Sequence, residues 1–238
     1  SGLERVLYMS STSVYGEEVE LRQPVPENVE PHPSRGYGKA KWLAEQAVWR
    51  YAEKGLEVVV VRPVSIYGPG AVKLLASAVL DIAIERIAGL KKVEVWEKPI
   101  EQRLVHVADL VRACLHLMGR EDAVGRAFNL ASENYPTSHE LAGMIAGELG
   151  LELEESDDPE CGPTFERRAE VREQMLAAGM VGDIVFTRER LRFMRKANRN
   201  NRLSLDALAS TGFKLSEAEL PGSIAGTVRW YLNHRWIL

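Results

Sequence analysis

Cysteine is nearly absent: Cys114 and Cys161 are the only two in 238 residues. Two thiols build no disulfide framework, and no Cys-x-x-Cys spacing offers a zinc site, so no metal is expected. Neither sign of charge is in large excess. Thirty basic side chains stand against 34 acidic ones, a net charge of −4, which argues against nucleic acid and acidic membrane surfaces as partners. Long hydrophobic runs are missing too. The longest apolar stretch, Val72 to Leu90, is interrupted by Lys73, Asp81, Glu85 and Arg86, so it reads as an amphipathic helix rather than a membrane span. The opening SGLERVLYMSS has no basic region leading into an apolar one, hence no secretory signal. Internal repeats and low-complexity tracts are also lacking. What remains is the composition of an ordinary soluble globular protein, 45% hydrophobic and 27% charged, with the cytoplasm as the expected compartment.

The apolar pattern predicts alternating strands and helices. Arg5 to Met9 is a short apolar strand that ends abruptly in the hydroxyl cluster Ser10-Ser11-Thr12-Ser13. Pro24, Pro26, Pro31 and Pro33 mark an irregular connection. Ser34 can cap a helix in which Tyr37, Ala40, Lys41, Ala44, Val48 and Tyr51 recur at helical spacing, and Gly55 stops it. Val58 to Val61 is a β-branched run that suits the interior of a parallel sheet. Strand, helix and strand make a right-handed βαβ unit. A helix over 72–89, strands near 93–96 and 104–107, a helix over 109–118 capped by Asp109, a strand over 127–131 and a helix over 138–150 follow. Glu152, Glu154, Glu155, Asp157, Asp158 and Glu160 predict an exposed acidic loop, residues 188–202 a basic solvated helix face, and 221–234 a last helix. His106 reads as a structural histidine, Cys114 as core packing, and Tyr67 as either a packing residue or one that approaches a sugar.

Tyr37 and Lys41 carry the chemistry. At i and i+4 on a helix, two side chains share a face one turn apart. A phenol, with an ordinary pKa near 10, is a poor base at neutral pH, and a neighbouring ammonium favours its phenolate. Such a pair can take a proton from a carbinol as hydride leaves its carbon, or return it. Taken alone, the pair is a weak signal and reads rather as an amphipathic helix start with a solvated lysine. Its setting on a crossover helix, beside a strand that ends in hydroxyls at the ligand-binding edge of an α/β sheet, raises its weight.

The strings MSSTSVYGE, Tyr-Gly-Lys-Ala-Lys, VVRPVSIYGPG, RLVHVADLVRACLHLM and RAFNLASENYPTSHELA, in this order, resemble the extended short-chain dehydrogenase/reductase superfamily, and within it the NAD-dependent epimerase/dehydratase family that acts on nucleotide sugars. The resemblance implies an α/β fold: part of a Rossmann-like doubly wound parallel sheet over 1–68 and 101–132, with a smaller substrate lobe over 69–100 and 133–238. It implies Ser11, Tyr37 and Lys41 as catalytic residues, with Ser11 holding the reacting oxygen. Lys41 would also hold the nicotinamide ribose, and Pro63 and Val64 would line the nicotinamide. The cofactor would be NAD or NADP, NAD being favoured. Thr12 and Ser13 fall where relatives choose between dehydration and epimerisation, and two hydroxyls there favour oxidation, reduction or epimerisation over water elimination.

Departures from the family pattern touch the substrate. Ser65 stands where nucleotide-sugar members carry asparagine, and Gln102 where they carry arginine. Arg103 lies one place along, and in a strand one place turns a side chain to the other face. Nor does any Gly-x-x-Gly-x-x-Gly or Gly-x-Gly-x-x-Gly turn occur to receive a dinucleotide pyrophosphate. On the order of 100 residues of βαβ units would be missing upstream. A shortened chain is the first explanation, ahead of completion by another chain or a degenerate remnant. The functional expectation is redox chemistry at a carbinol of a small molecule, such as a nucleotide sugar. The alternatives are a reductase of a non-nucleotide substrate and a non-catalytic dinucleotide-binding scaffold. Relatives dimerise through two helices per subunit, which makes a homodimer through helix 37–54 the expected assembly, its actual state left open.

Overall fold

Val58, Val59, Val60 and Val61 have no exposed surface, as a strand with apolar residues on both faces requires. They belong to β2 (Glu57–Pro63), which lies between β1 (Arg5–Met9) and β6 (Arg126–Leu130), both parallel to it. β1 is half-buried along its length and pairs only with β2 among the described residues. The computed structural model describes residues 4–16, 23–33, 36–72, 75–158, 161–179, 202–216 and 220–237. Ser34 and the basic stretch up to residue 201 fall outside them. The chain divides into two compact units.

The first unit comprises residues 1–66, 103–133 and 198–216. Its sheet packs with α1 (Gly36–Ala52) and α3 (Val107–Met118). β3 (Ser65–Tyr67) pairs with β5 (Leu104–His106). Val59, Val61, Phe128 and Leu130 from the sheet meet Leu110, Ala113 and Leu117 of α3 in one core. Leu203, Leu208 of the short α6 (Asp206–Ala209) and Phe213 join this core. Residues 202–216 therefore go with the sheet, not with the second lobe as their place in the chain suggests, because Leu203, Leu208 and Phe213 find their cover there.

The second unit comprises residues 67–102, 134–197 and 217–238. It holds α2 (Leu75–Ile87), β4 (Lys92–Trp96), α4 (Ser138–Leu149), β7 (Glu152–Ser156), α5 (Phe165–Ala177) and α7 (Leu220–Asn233). Leu141, Ile145, Met175, Ile224 and Val228 are buried in it. A capping box opens α4: Glu140 accepts from the Thr137 N–H at 2.6 Å, and Thr137 accepts from the Glu140 N–H at 3.2 Å. Gly150, left-handed at φ 71°, closes it.

Two expectations are corrected. Residues 152–156 form β7, parallel to β4, where the acidic run predicts a loop. Backbone pairing does not need apolar side chains on a face that stays in water. The cap of α3 is His106, whose Nδ1 accepts the Ala108 N–H at 3.3 Å. Asp109 lies inside the first turn instead, pairing with Arg112 at 2.7 Å and accepting the Ser216 N–H at 2.8 Å.

Candidate active site

The carboxyl end of β1 turns into a single 3-10 turn, Thr12–Tyr15, capped by Ser11. Ser11 Oγ accepts the Ser13 N–H at 3.2 Å and contacts Ser13 Oγ at 3.2 Å. Thr12 Oγ1 donates to the Pro63 carbonyl at the end of β2, 3.4 Å away. The hydroxyl cluster thus lies at the carboxyl edge of a parallel sheet, where open α/β folds bind ligands.

Helix α1 supplies the other half. Lys41 donates to the Met9 carbonyl at 2.8 Å, so the ammonium sits at the last residue of β1. The same ammonium is 5.8 Å from the centre of the Tyr37 ring and 5.5 Å from that of Tyr8, cation–π range in both cases. Tyr37 itself is 61% exposed and open to a ligand. Gly38 makes the approach possible, since a Cβ there would overlap the Ser13 carbonyl.

α1 is unusual in what it buries. Within Gly36–Ala52 only Gly38 and Glu45 are fully buried, whereas Leu43 and Tyr51 are more than half exposed. The stripe Tyr37, Ala40, Ala44, Val48 and Tyr51 is not its core face. The core face carries a carboxylate instead. Glu45 binds Ser10, Arg62 and Trp49. Sequence reasoning missed this group, although a charge eight residues beyond Tyr37 and another at the end of a valine run were signals for it.

The remaining candidates are spread out. Pro63 ends β2, and Val64 is buried in the first core with its N–H bonded to the Leu130 carbonyl at 3.0 Å. Ser65 opens β3 and is half-buried. Gln102 belongs to the second unit and half-buried Arg103 to the first. Gln102 is buried, and its amide donates to the Ile100 carbonyl at 3.2 Å. Tyr67 is buried, with its hydroxyl 2.7 Å from Ser223 Oγ. Burial pushes the half-buried Cys114 thiol up.

This geometry accompanies a match of residues 1–131 to the model of the NAD-dependent epimerase/dehydratase family. The chain belongs to that family. This epimerase/dehydratase-family chain is 32% identical over 170 residues to GDP-6-deoxy-D-mannose reductase of Pseudomonas aeruginosa, covering 70% of the chain and 54% of that protein. It is 30% identical over 160 residues to dTDP-4-dehydro-6-deoxy-D-allose reductase of a Streptomyces species, covering 63% and 47%. The chain spans about half the length of these curated relatives. Its fold matches that of RMD from Pseudomonas aeruginosa, a structure complexed with NADPH, with a TM-score of 0.66 at 22% identity, over 95% of this chain and 66% of that one. The family chain therefore has the α/β, Rossmann-like architecture that its motifs suggest. Among the described residues, no helix is long and apolar enough to cross a membrane.

Proposed function

We propose that this chain carries the proton-transfer part of an NAD(P)-dependent oxidoreductase site that acts at a carbinol or carbonyl carbon of a small molecule, with a dehydro-sugar as the substrate class. The observation that carries this reading is the Lys41 ammonium, held on the Met9 carbonyl beside the open Tyr37 phenol. The names of the two reductase relatives favour reduction over epimerisation.

The residues present suit the ribose–nicotinamide end of a dinucleotide. Lys41 offers donors for ribose hydroxyls, and the Tyr37 phenol stands exposed next to it. Pro63 ends the central strand in the same unit, with Val64 immediately after it. When bound, the reduced nicotinamide supplies hydride to the carbonyl carbon. Tyr37 gives its proton to the carbonyl oxygen as that oxygen gains charge. Ser11 turns its hydroxyl from Ser13 to the same oxygen, and Lys41 stabilises the phenolate that Tyr37 becomes until solvent returns the proton. Oxidation runs the same steps backwards. Thr12 and Ser13 line the substrate side, and NAD and NADP both fit this account.

A reductase of a substrate without a nucleotide is a second reading, favoured by Gln102, whose amide is spent on the Ile100 carbonyl. The same proposal includes a homodimer across α1, supported by the exposure of Leu43 and Tyr51.

The test is turnover of the intact protein with NADH and NADPH on a panel of GDP-, dTDP- and UDP-linked dehydro-sugars and free keto sugars, beside its Tyr37→Phe variant. Loss of at least 100-fold in kcat is expected, as removal of a proton donor costs roughly 10² to 10⁴. Full activity in Tyr37→Phe dismisses the assignment.

A further inference from the structure

We infer that Glu45 and Arg62 are positioning residues that set the aim of Tyr37 and Lys41; the inference rests on the reading of Tyr37 as the acid/base. Tyr37, Lys41 and Glu45 follow one another at i, i+4 and i+8 on successive turns of α1, each about 40° further round towards the core, so the rotation that Glu45 fixes also sets the direction of the other two. Glu45 is completely buried. Its Oε2 accepts from Ser10 Oγ at 2.5 Å, and its Oε1 accepts from Arg62 Nη2 at 2.6 Å and from Arg62 Nε at 3.2 Å. Trp49 Nε1 adds a longer contact at 3.4 Å.

Arg62 carries the connection onward. Its Nη1 donates to the Tyr15 hydroxyl and to the Glu27 carbonyl, each at 2.9 Å. The Tyr15 hydroxyl donates to Asn129 Oδ1 at 2.7 Å, and Asn129 Nδ2 donates to the Val25 carbonyl at 3.0 Å. Arg62 and Asn129 are register partners in β2 and β6. One buried network therefore holds Ser10, immediately before Ser11, and Tyr15, the last residue of the hydroxyl turn. The same network grips the middle of α1.

Apolar packing gives the roll of this helix few fixed points. Apart from Gly38, Glu45 is its sole fully buried residue, and its Trp42 packs on the first core while only half-buried, so Glu45 is the buried polar anchor of α1. A phenol oxygen about 10 Å from a helix axis moves on the order of 2 Å for each 10° of roll. A misplacement of about 1 Å costs roughly 10² in rate. Stability alone does not call for an ion pair here, because well-packed apolar side chains of similar volume commonly do as well. A bidentate carboxylate–guanidinium contact has something apolar contacts lack, a single preferred orientation.

The test uses the intact protein with Glu45→Leu combined with Arg62→Met, which removes both charges together. The expected result is a folded protein with the parent's circular dichroism, its denaturation midpoint lowered because Ser10 and Tyr15 lose partners, a fall in kcat of about 100-fold, and a KM within about threefold of the parent. Ser10→Ala, a smaller change that leaves the ion pair in place, should lower kcat about tenfold at unchanged KM. Independently of turnover, fluorine NMR of 3-fluorotyrosine placed at position 37 should give one sharp line in the parent and a shifted or split line in the double variant. An unchanged line, or kcat within threefold of the parent in both variants, overturns the inference. Tyr37→Phe in the same assay separates the two ideas. If it stays active, the acid/base reading falls; if it is inactive while the network variants work normally, only the positioning role falls.

Discussion

Gly38 lies directly against the carbonyl of Ser13, the first turns of α1 meeting the hydroxyl turn with no room for a side chain between them. A methyl group there would overlap the Ser13 oxygen and press on Pro33 Cβ, 3.2 Å away. Both neighbours are constrained, one by the 3-10 turn and the other by its ring. Replacing Gly38 by alanine should therefore move the helix rather than its surroundings. Gly38→Ala is expected to destabilise the chain by about 1–3 kcal/mol, as other overpacking changes do, and to lower turnover by shifting Tyr37 with its helix. Urea denaturation measures the first effect. An unchanged midpoint would mean that the close approach costs nothing to relieve.

Lys41→Met should separate chemistry from folding. The side chain is half-buried, and its ammonium bonds to a backbone carbonyl at the end of β1. Turnover is expected to fall roughly 10²- to 10⁴-fold while the circular dichroism spectrum stays as in the parent. Dinucleotide affinity should fall with it. Parent-like kcat in this variant would remove Lys41 from the mechanism.

His106 predicts how α3 responds to acid. Burial lowers its pKa below the usual 6.5, with the Asp109 charge opposing, and its Nδ1 must be unprotonated to accept the Ala108 N–H. The folded state then binds the proton less readily than the unfolded one. The stabilisation is present above the ordinary imidazole pKa and drains away as pH falls through the lowered folded value. His106→Asn keeps a capping acceptor that does not titrate. Its stability should decline less between about pH 7 and about pH 5 than the parent's, followed by urea midpoints. Parallel curves would rule the histidine out as the source.

Glu27 works in the opposite sense. Burial raises its pKa above the usual 4.5, while the Asn129 N–H and the Arg62 charge pull it down. The folded state takes the proton more readily, so this contribution is full below the ordinary carboxylate pKa and is lost as pH rises through the folded value. Glu27→Gln retains an oxygen for the Asn129 N–H, bound at 2.8 Å, and removes the titration. Its stability relative to the parent should therefore improve as pH goes from about 4 to about 7. A difference independent of pH would count against this account.

The fold was readable wherever its signals are local. The valine run of β2, the periodicity of α1, α3 and α7, and the stop at Gly55 each sit within a few residues of the structure they specify. β7 escaped because its side chains face water, and a parallel ladder to β4 leaves no mark on a glutamate-rich sequence. The capping of α3 by His106 rather than Asp109 was a matter of one turn, decided by which side chain reached the free N–H first. The Tyr37–Lys41 pair was visible because i, i+4 spacing is a property of the helix alone.

By itself, then, the amino-acid order determined the succession of strands and helices, the neighbouring of Tyr37 and Lys41, and the hydroxyl cluster that ends β1. These depend on contacts between residues close together in the chain. Tertiary structure alone decided that Glu45 meets Arg62, that Tyr15 reaches Asn129, and that Leu203, Leu208 and Phe213 close the first core. The Tyr15–Asn129 pair alone joins groups 114 residues apart. Their energy comes from removing apolar surface from water and from hydrogen bonds that offset the cost of burying polar groups, which no periodicity along the chain records.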